Sequence, residues 1–200
     1  MSSLKTTNIL NPSSTTNNIV LAADGSTTIS TLTATTIQGT IKSGTAKAYN
    51  WNGVSTNTFL DFESIPSYVK RITVMLSAVS TSGTGLIRFQ LGTSSGVVTT
   101  GYNGVASQLG GGTTSATSTS GFDSTNDGGA SYSRRGQIIF STLGSNIWVM
   151  NGCYNLGTGA FQYLFSGDVT LGATLDRVRI TTTNGTDTFD AGTINILYEG

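Results

Sequence analysis

The acidic side chains offer the clearest spacing for catalysis in this chain. Asp61 and Glu63 stand two residues apart in "LDFESI", and pairs of carboxyl groups perform acid–base chemistry in glycoside hydrolysis. Leu60 and Phe62 alternate with them, so a strand here would turn the apolar pair to the core and the acids to solvent. We therefore expect a solvent-exposed pair and not a catalytic one.

The chain contains no histidine, which excludes nucleophile systems that use His as the base and most zinc or haem ligation. Cys153 is the single cysteine, so it forms no intrachain disulfide, and we expect a small buried hydrophobe there. Asp123, Asn126 and Asp127 could supply oxygens to calcium, but their spacing matches no full ligand loop. These observations predict a protein that is not an enzyme and needs neither cofactor nor metal.

Charge and hydropathy argue against two kinds of partner. Ten basic and ten acidic residues cancel, and basic runs stop at pairs such as Arg134-Arg135, so no nucleic-acid partner is expected. The start, "MSSLKTTNIL", lacks the apolar core of a signal peptide, and no run is long enough to span a membrane. We expect no membrane insertion and assembly inside a cell.

Four aromatic residues could stack on a sugar ring or a protein if they are exposed: Trp51, Tyr102, Phe122 and Tyr132. Three of them lie in or beside residues 101–133, a stretch dominated by Gly, Ser and Thr that predicts a long functional or mobile loop. Packing in a core or interface is the favoured interpretation for each ring, and for the loop a protein contact, or simple tolerance of a surface tip, is favoured over sugar binding.

Composition predicts an all-β protein. The chain has 26 glycines, is rich in Ser and Thr, and has only 10% charged residues, where ordinary domains have roughly 25%. Such a composition disfavours helices and suits strands and turns. In "YVKRITVMLSAVS", Ile72, Val74, Leu76 and Ala78 share one face, which is typical of antiparallel sheets that hide one side. Asn184-Gly185 signals a hairpin, and the final strand, 192–198, is expected inside a sheet.

The first part of the chain differs from the rest, because no aromatic residue precedes Tyr49. Asp24-Gly25 marks a turn between two short alternating strands, a hairpin that is marginal alone. We predict an extended arm over residues 1–46, for attachment and trimerisation, and an antiparallel two-sheet sandwich of jelly-roll type over 47–200. The arm would bury its apolar side chains on a partner: Ile19, Leu21, Ile29, Ile37 and Ile41.

Three stretches carry a resemblance to a known family. "LDFESIPSYVKRITVMLSAVSTSGTGLIRFQLG" (60–92) and "TFDAGTINILYE" (188–199) resemble a β-sandwich domain of tailed-bacteriophage structural proteins, especially of marine and cyanobacterial phages. "NPSSTTNNIVLAADGSTTI" (11–29) is similar to the attachment segments of tail fibres and virion-surface proteins.

The resemblance implies a virion structural protein, a fibre, spike or capsid-decoration subunit, assembled in the host cytoplasm and displayed on the particle surface. It implies a homotrimer that contacts other virion proteins. The alternative is a receptor-binding module for a host surface glycan, and an enzyme that degrades such a glycan is a distant third.

Overall fold

The computed structural model describes residues 57–157 and 159–200 with their side chains. For residues 8–9, 19–21, 27–29 and 47–52 it describes the strands they form but not their side chains. The chain divides into two compact units, residues 1–40 and 41–200. The predicted boundary, between residues 46 and 47, lies a few residues after this division.

Sixteen strands are described, numbered in chain order. They are β1 (Asn8–Ile9), β2 (Ile19–Leu21), β3 (Thr27–Ile29), β4 (Lys47–Asn52), β5 (Phe59–Phe62), β6 (Arg71–Thr81), β7 (Ile87–Thr93), β8 (Gly96–Val97), β9 (Tyr102–Leu109), β10 (Thr114–Ser118), β11 (Phe122–Asp123), β12 (Arg134–Gly144), β13 (Ile147–Asn155), β14 (Gln162–Thr170), β15 (Leu175–Thr182) and β16 (Phe189–Glu199). The described residues include no helix.

The first unit contains a small antiparallel sheet in the order β1-β2-β3. Ile19 pairs with Ile29 and Leu21 with Thr27, which confirms the predicted strand pair. The side chains of Ile19, Leu21 and Ile29, and all of Ile37 and Ile41, lie outside the described residues. Burial of these side chains on a partner stays a prediction.

The second unit is a sandwich of two antiparallel sheets, which confirms the predicted fold class. One sheet has eight strands in the order β10-β9-β14-β13-β12-β6-β16-β4, and the other has five, ordered β11-β7-β15-β5 with β8 beside β7. From β4 to β7 the chain changes sheet at every step. It also crosses to the five-stranded sheet for β11 and for β15 and returns to the eight-stranded sheet after each of them. Neighbouring strands in the order β4-β16-β6-β12 in one sheet and β5-β15-β7-β11 in the other reproduce the two facing four-stranded sheets of a jelly roll.

Alternating apolar side chains fill the space between the sheets. Ile72, Val74 and Leu76 of β6 are buried, as predicted, and Phe89 of β7 meets Phe165 of β14 edge-on with ring centroids 6.3 Å apart. Since β7 and β14 belong to different sheets, this contact crosses the core.

The alternation in β6 breaks where the sequence predicts that Ala78 is buried. Ala78 has φ 57°, and the register between β6 and β16 shifts on both sides of Ala191. The resulting bulge turns Val79 inward, 1% exposed, in place of Ala78.

Residues 101–133 are not the long irregular loop that their composition predicts. They contain β9, β10 and β11, and β9 extends the eight-stranded sheet beyond β14. Alternation through Tyr102, Ala106 and Gln108, all buried, marks the strand, but the surrounding Gly, Ser and Thr hide this period in the sequence. The irregular connections within this stretch are residues 110–113, 119–121 and 124–133, of which the last is the longest.

The turn at Asn184-Gly185 is present, but the hairpin predicted there is wrong. Gly185 has φ 67°, and the Asn184 Oδ1 atom accepts hydrogen bonds from the N–H groups of Thr186 and Asp187 at 3.1 and 3.2 Å. The strands on either side, β15 and β16, belong to different sheets. The turn is therefore a corner of the sandwich. As predicted, β16 lies inside a sheet, between β6 and β4.

Candidate functional site

The outer side of the five-stranded sheet carries a set of ion pairs, which we call the charged face. Arg179 holds Asp61 with two hydrogen bonds, at 2.7 and 2.5 Å, and Arg177 binds Glu63 at 2.8 Å. Leu60 and Phe62 point into the core, which confirms that the two acids point outward. The expected exposure holds for Glu63, 52% exposed, but not for Asp61, which is 13% exposed under its arginine. Each carboxylate is neutralised by its own arginine, and the two do not form a free pair.

A second pair continues the charged face. Arg88 binds Asp123 through two hydrogen bonds, at 2.6 and 2.7 Å, and Ser118 donates to the same carboxylate at 2.7 Å. Arg179 also lies 4.0 Å above the ring of Phe59, a cation–π contact on a ring that is 46% exposed. The arginines of this face are thus paired with acids of the same face.

Asp127 belongs to a buried polar cluster inside the sandwich, formed with Ser124, Arg134 and Tyr154. Its Oδ2 atom accepts hydrogen bonds from the Nε of Arg134 at 2.7 Å and from the hydroxyl of Tyr154 at 2.5 Å. Ser124 donates to Oδ1, and Arg134 also donates to the carbonyl of Asp127 at 2.6 Å. The side chains of Asp127 and Arg134 are both 0% exposed, which leaves no route for a substrate.

The calcium hypothesis fails on the same geometry. Asp123 lies on the charged face with Arg88, whereas Asp127 is enclosed with Arg134. The amide of Asn126 donates to Gln108. Among the described residues, no group of three acids, histidines or cysteines is placed to hold a metal ion.

The predicted aromatic contact residues are separated by the fold. Tyr102 and Phe122 are each 1% exposed and meet edge-on, with centroids 4.9 Å apart. The hydroxyl of Tyr102 donates to the carbonyl of Val98 at 3.0 Å, and burial raises its pKa to about 12. These two rings are core residues and are not presented to a ligand.

The other two aromatic candidates differ from that pair. Tyr132 is half-buried and packs against the edge of the core. Trp51 lies in β4, and its side chain is outside the described residues.

The outer side of the eight-stranded sheet has a different character. Two adjacent rows of outward side chains cross it without a charge, and we call them the uncharged face. One row is Asn195, Met75, Gln137, Cys153, Leu164 and Ser107; the other is Leu197, Thr73, Ile139, Asn151, Ser166 and Val105.

Apolar groups stand in the middle of the uncharged face. Val105 and Leu164 are 45% and 40% exposed, and a shallow depression of about 320 Å³ lies between Ile139, Cys153 and Leu164. Cys153 is therefore half-buried on an outer surface, and not in the core as its strand context predicted. The sequence did carry a signal for this face, because its residues alternate with buried ones. We used that alternation only to locate the core.

A cavity of about 200 Å³ opens at one end of the sandwich. Its walls come from the connection between β5 and β6, the turn between β12 and β13, and the connection between β14 and β15. Lys70, Asn146 and Trp148 line it together with hydroxyl side chains. Trp148 faces the interior of the sandwich and is 4% exposed, so it contributes an edge to this cavity.

Among the described residues, no helix has the length and apolar character needed to cross a membrane. Comparisons with protein-family models, with curated proteins and with solved structures find no match to this chain.

Proposed function

We propose that this chain is a non-enzymatic structural subunit of a tailed-phage particle, a fibre, spike or decoration protein that works as a homotrimer. Residues 1–46 attach it to other virion proteins, and the sandwich is displayed at the particle surface. The resemblance of its sequence stretches to such proteins supports the kind of particle. The contrast between the two outer faces supports self-association.

That contrast is the observation on which the proposal depends. The charged face pairs its arginines with its own acids, whereas the uncharged face presents apolar and amide side chains with no charge in either row. Cores of protein interfaces are depleted in charged residues, and solvent-exposed rims are not. The charged face thus suits water, and the uncharged face suits burial.

A second copy of the chain is the occupant that fits the uncharged face. The chain has zero formal net charge, so copies do not repel each other. In a closed trimer each copy offers two different parts of its surface to its two neighbours, and a face without charges places no like charges together in either contact. Arg71 and Glu199, which pair at 3.4 Å, lie in the next row, beside the one that contains Thr73 and Leu197, and would form the polar rim.

The ion pairs of the two candidate acids support a role without catalysis. Asp61 and Glu63 are each held by an arginine, so neither carboxylate stands free beside the other as a pair of catalytic acids would. The glycan-binding alternative loses two of its proposed contacts, because Tyr102 and Phe122 are in the core.

Multi-angle light scattering on the full chain and on Leu164→Lys tests self-association. The parent is expected to be a trimer at micromolar concentration, and the variant is expected to dissociate because a lysine would be buried without a partner. Tyr68→Lys is the matched control, since Tyr68 is 56% exposed and belongs to neither face. It is expected to leave the trimer intact.

Cys153 gives an independent readout, because it lies on the uncharged face. Labelling by a maleimide is expected to slow as the protein concentration rises and the face becomes covered. A monomeric parent, or a labelling rate that does not change with concentration, would contradict the proposed interface.

A further inference from the structure

The cavity at the end of the sandwich has walls that its own backbone hydrogen bonds hold in place. The N–H of Thr142 donates to the carbonyl of Lys70 at 3.0 Å, and the N–H of Leu171 donates to the carbonyl of Asn146 at 3.0 Å. These bonds join all three wall segments, so the cavity is formed before any ligand arrives. Binding would require little further ordering of the chain.

The turn that forms one wall has an uncommon backbone. Ser145 and Asn146 have φ 52° and 62°, in the left-handed region that side chains other than glycine rarely occupy. Both residues line the cavity. The two-residue turn between paired Gly144 and Ile147 holds them there, which fixes a hydroxyl and an amide at the mouth.

Lys70 supplies the charge of the cavity. No acidic residue lines the walls, and among the described residues no carboxylate lies within 4.0 Å of the Lys70 ammonium group. The neighbouring Arg71, in contrast, pairs with Glu199. Lys70 is exposed, and a cation without a carboxylate partner among the residues that line a concave, hydroxyl-lined site favours an anionic ligand.

The remaining groups restrict the ligand further. Thr142, Ser145 and Thr174 bring hydroxyl groups, Asn146 brings an amide, and Trp148 brings an aromatic edge. Hydroxyls and amides recognise a hydroxylated ligand through hydrogen bonds, and the part of the indole that lines the cavity offers an apolar contact for its carbon skeleton. The volume, about 200 Å³, is below the usual range for drug-sized ligands of roughly 300–1,000 Å³, so a single ring is the fitting size.

We propose that this cavity binds one acidic sugar residue, a hexuronic acid, with its carboxylate on Lys70 and its hydroxyls toward the Ser145-Asn146 turn. The site is independent of self-association, because all of its walls belong to one chain.

Isothermal titration calorimetry of the full-length chain with sodium glucuronate tests the proposal, with glucose and sodium acetate at equal ionic strength as probe controls. Glucuronate is expected to bind saturably and at least about tenfold more tightly than either control, since a charged hydrogen bond and the ring contacts both contribute. Lys70→Gln is expected to weaken glucuronate binding by about tenfold or more.

Arg135→Gln is the matched variant control, because Arg135 is an exposed cation outside the cavity whose guanidinium donates to the carbonyl of Ser133 at 3.0 Å. It is expected to leave the affinity unchanged. Shifts of the Asn146 side-chain amide in nitrogen-15 NMR spectra locate the binding in a way that does not depend on any variant. Equal affinity for glucuronate and acetate, no effect of Lys70→Gln, or no shift of Asn146 on binding would each overturn the proposal.

Discussion

At the scale of single residues, the charges of Asp127 and Arg134 are stabilised by neighbours and not by water. Both side chains are 0% exposed, and Tyr154 and Ser124 complete the hydrogen bonds of the carboxylate. A buried ion pair tolerates the loss of one partner badly, because the other charge is left without compensation. The cluster therefore fixes the irregular connection 124–133 against β12 and β13.

Asp127→Asn is expected to lower the free energy of unfolding by about 3–5 kcal/mol, since it leaves the Arg134 guanidinium buried and unpaired. Urea denaturation at neutral pH measures the change. Glu63→Gln makes the same exchange in an ion pair whose acid is 52% exposed, and it is expected to cost less than about 1 kcal/mol. Equal effects of the two substitutions would contradict this account of the cluster.

Thr81 carries a buried hydroxyl with no hydrogen-bond partner among the described residues, as does the Nη1 atom of Arg134. Thr81→Val keeps the shape and removes the polar atom, so it is expected to stabilise the fold by roughly 1 kcal/mol. Thr182→Val is the matched control, because the Thr182 hydroxyl donates to Asn184 at 2.9 Å. That substitution is expected to destabilise, and urea midpoints that move in the same direction for both would count against the assignment.

The buried tyrosines predict a loss of stability at alkaline pH. Desolvation raises the pKa of Tyr102 to about 12, above the ordinary value of about 10 for an unfolded chain. Between these values the unfolded state loses the proton more readily, so the stabilisation present below pH 10 declines as pH rises toward 12.

Absorbance near 295 nm during an alkaline titration checks this expectation. Part of the tyrosinate signal should appear only near pH 12, and Tyr102→Phe should reduce that late part. A titration that is complete by pH 11 in the folded protein would refute it.

At the scale of elements, the bulge between β6 and β16 depends on a glycine. Gly192 has φ 95°, and a Cβ added there would lie 2.4 Å from the carbonyl oxygen of Ala78. Any larger residue must therefore adopt a strained backbone and push against main-chain atoms of the neighbouring strand.

Gly192→Ala is expected to destabilise the sandwich by more than about 2 kcal/mol, since the left-handed backbone alone costs roughly 1–2 kcal/mol. Gly172→Ala is the control, because nothing lies within 4 Å of a Cβ at that position and its φ is ordinary. Thermal unfolding should show a clear drop for the first variant and little change for the second. A Gly192→Ala protein that melts with the parent would exclude the bulge as described.

The strands show which parts of the fold the sequence could predict. Alternation located Ile72, Val74 and Leu76 correctly, because period two is a local property of the chain. The bulge at Ala78 could not be read in the same way, since it arises from register against β16, a distant strand. For the same reason Asn184-Gly185 predicted a turn correctly but not the sheets on either side of it.

The same distinction between local pattern and distant contacts applies to the candidate sites. The outward orientation of Asp61 and Glu63 follows from their alternation with Leu60 and Phe62, and the structure confirms it. Their arginine partners come from β15, far along the chain, so nothing local could identify them. The cavity around Lys70 joins three separate connections and has no signature in any one of them.

At the scale of the whole molecule, the proposed function assigns different roles to the two parts of the chain. Residues 41–200 hold the sandwich, with its core closed by the two sheets. Under the proposed function, residues 1–46 serve association and attachment.

Deletion of residues 1–46 is accordingly expected to leave a cooperatively folding sandwich whose trimer is weakened or lost. Circular dichroism during heating and light scattering measure the two properties separately. A shortened chain that fails to fold would contradict the division, and one that retains the full trimer at the parent's affinity would contradict the role of the arm in association.

The exchange of sheets between successive strands has a consequence for synthesis of the chain. Ser80 and Asp190, hydrogen-bonded across β6 and β16, are 110 residues apart, and β4 pairs with the same final strand. Loop closure over such distances makes folding slow. While the ribosome still holds the last strand, β4 and β6 lack their shared neighbour and expose unpaired edges. Many copies made at once would then be at risk of pairing with each other before each chain closes its own sheet.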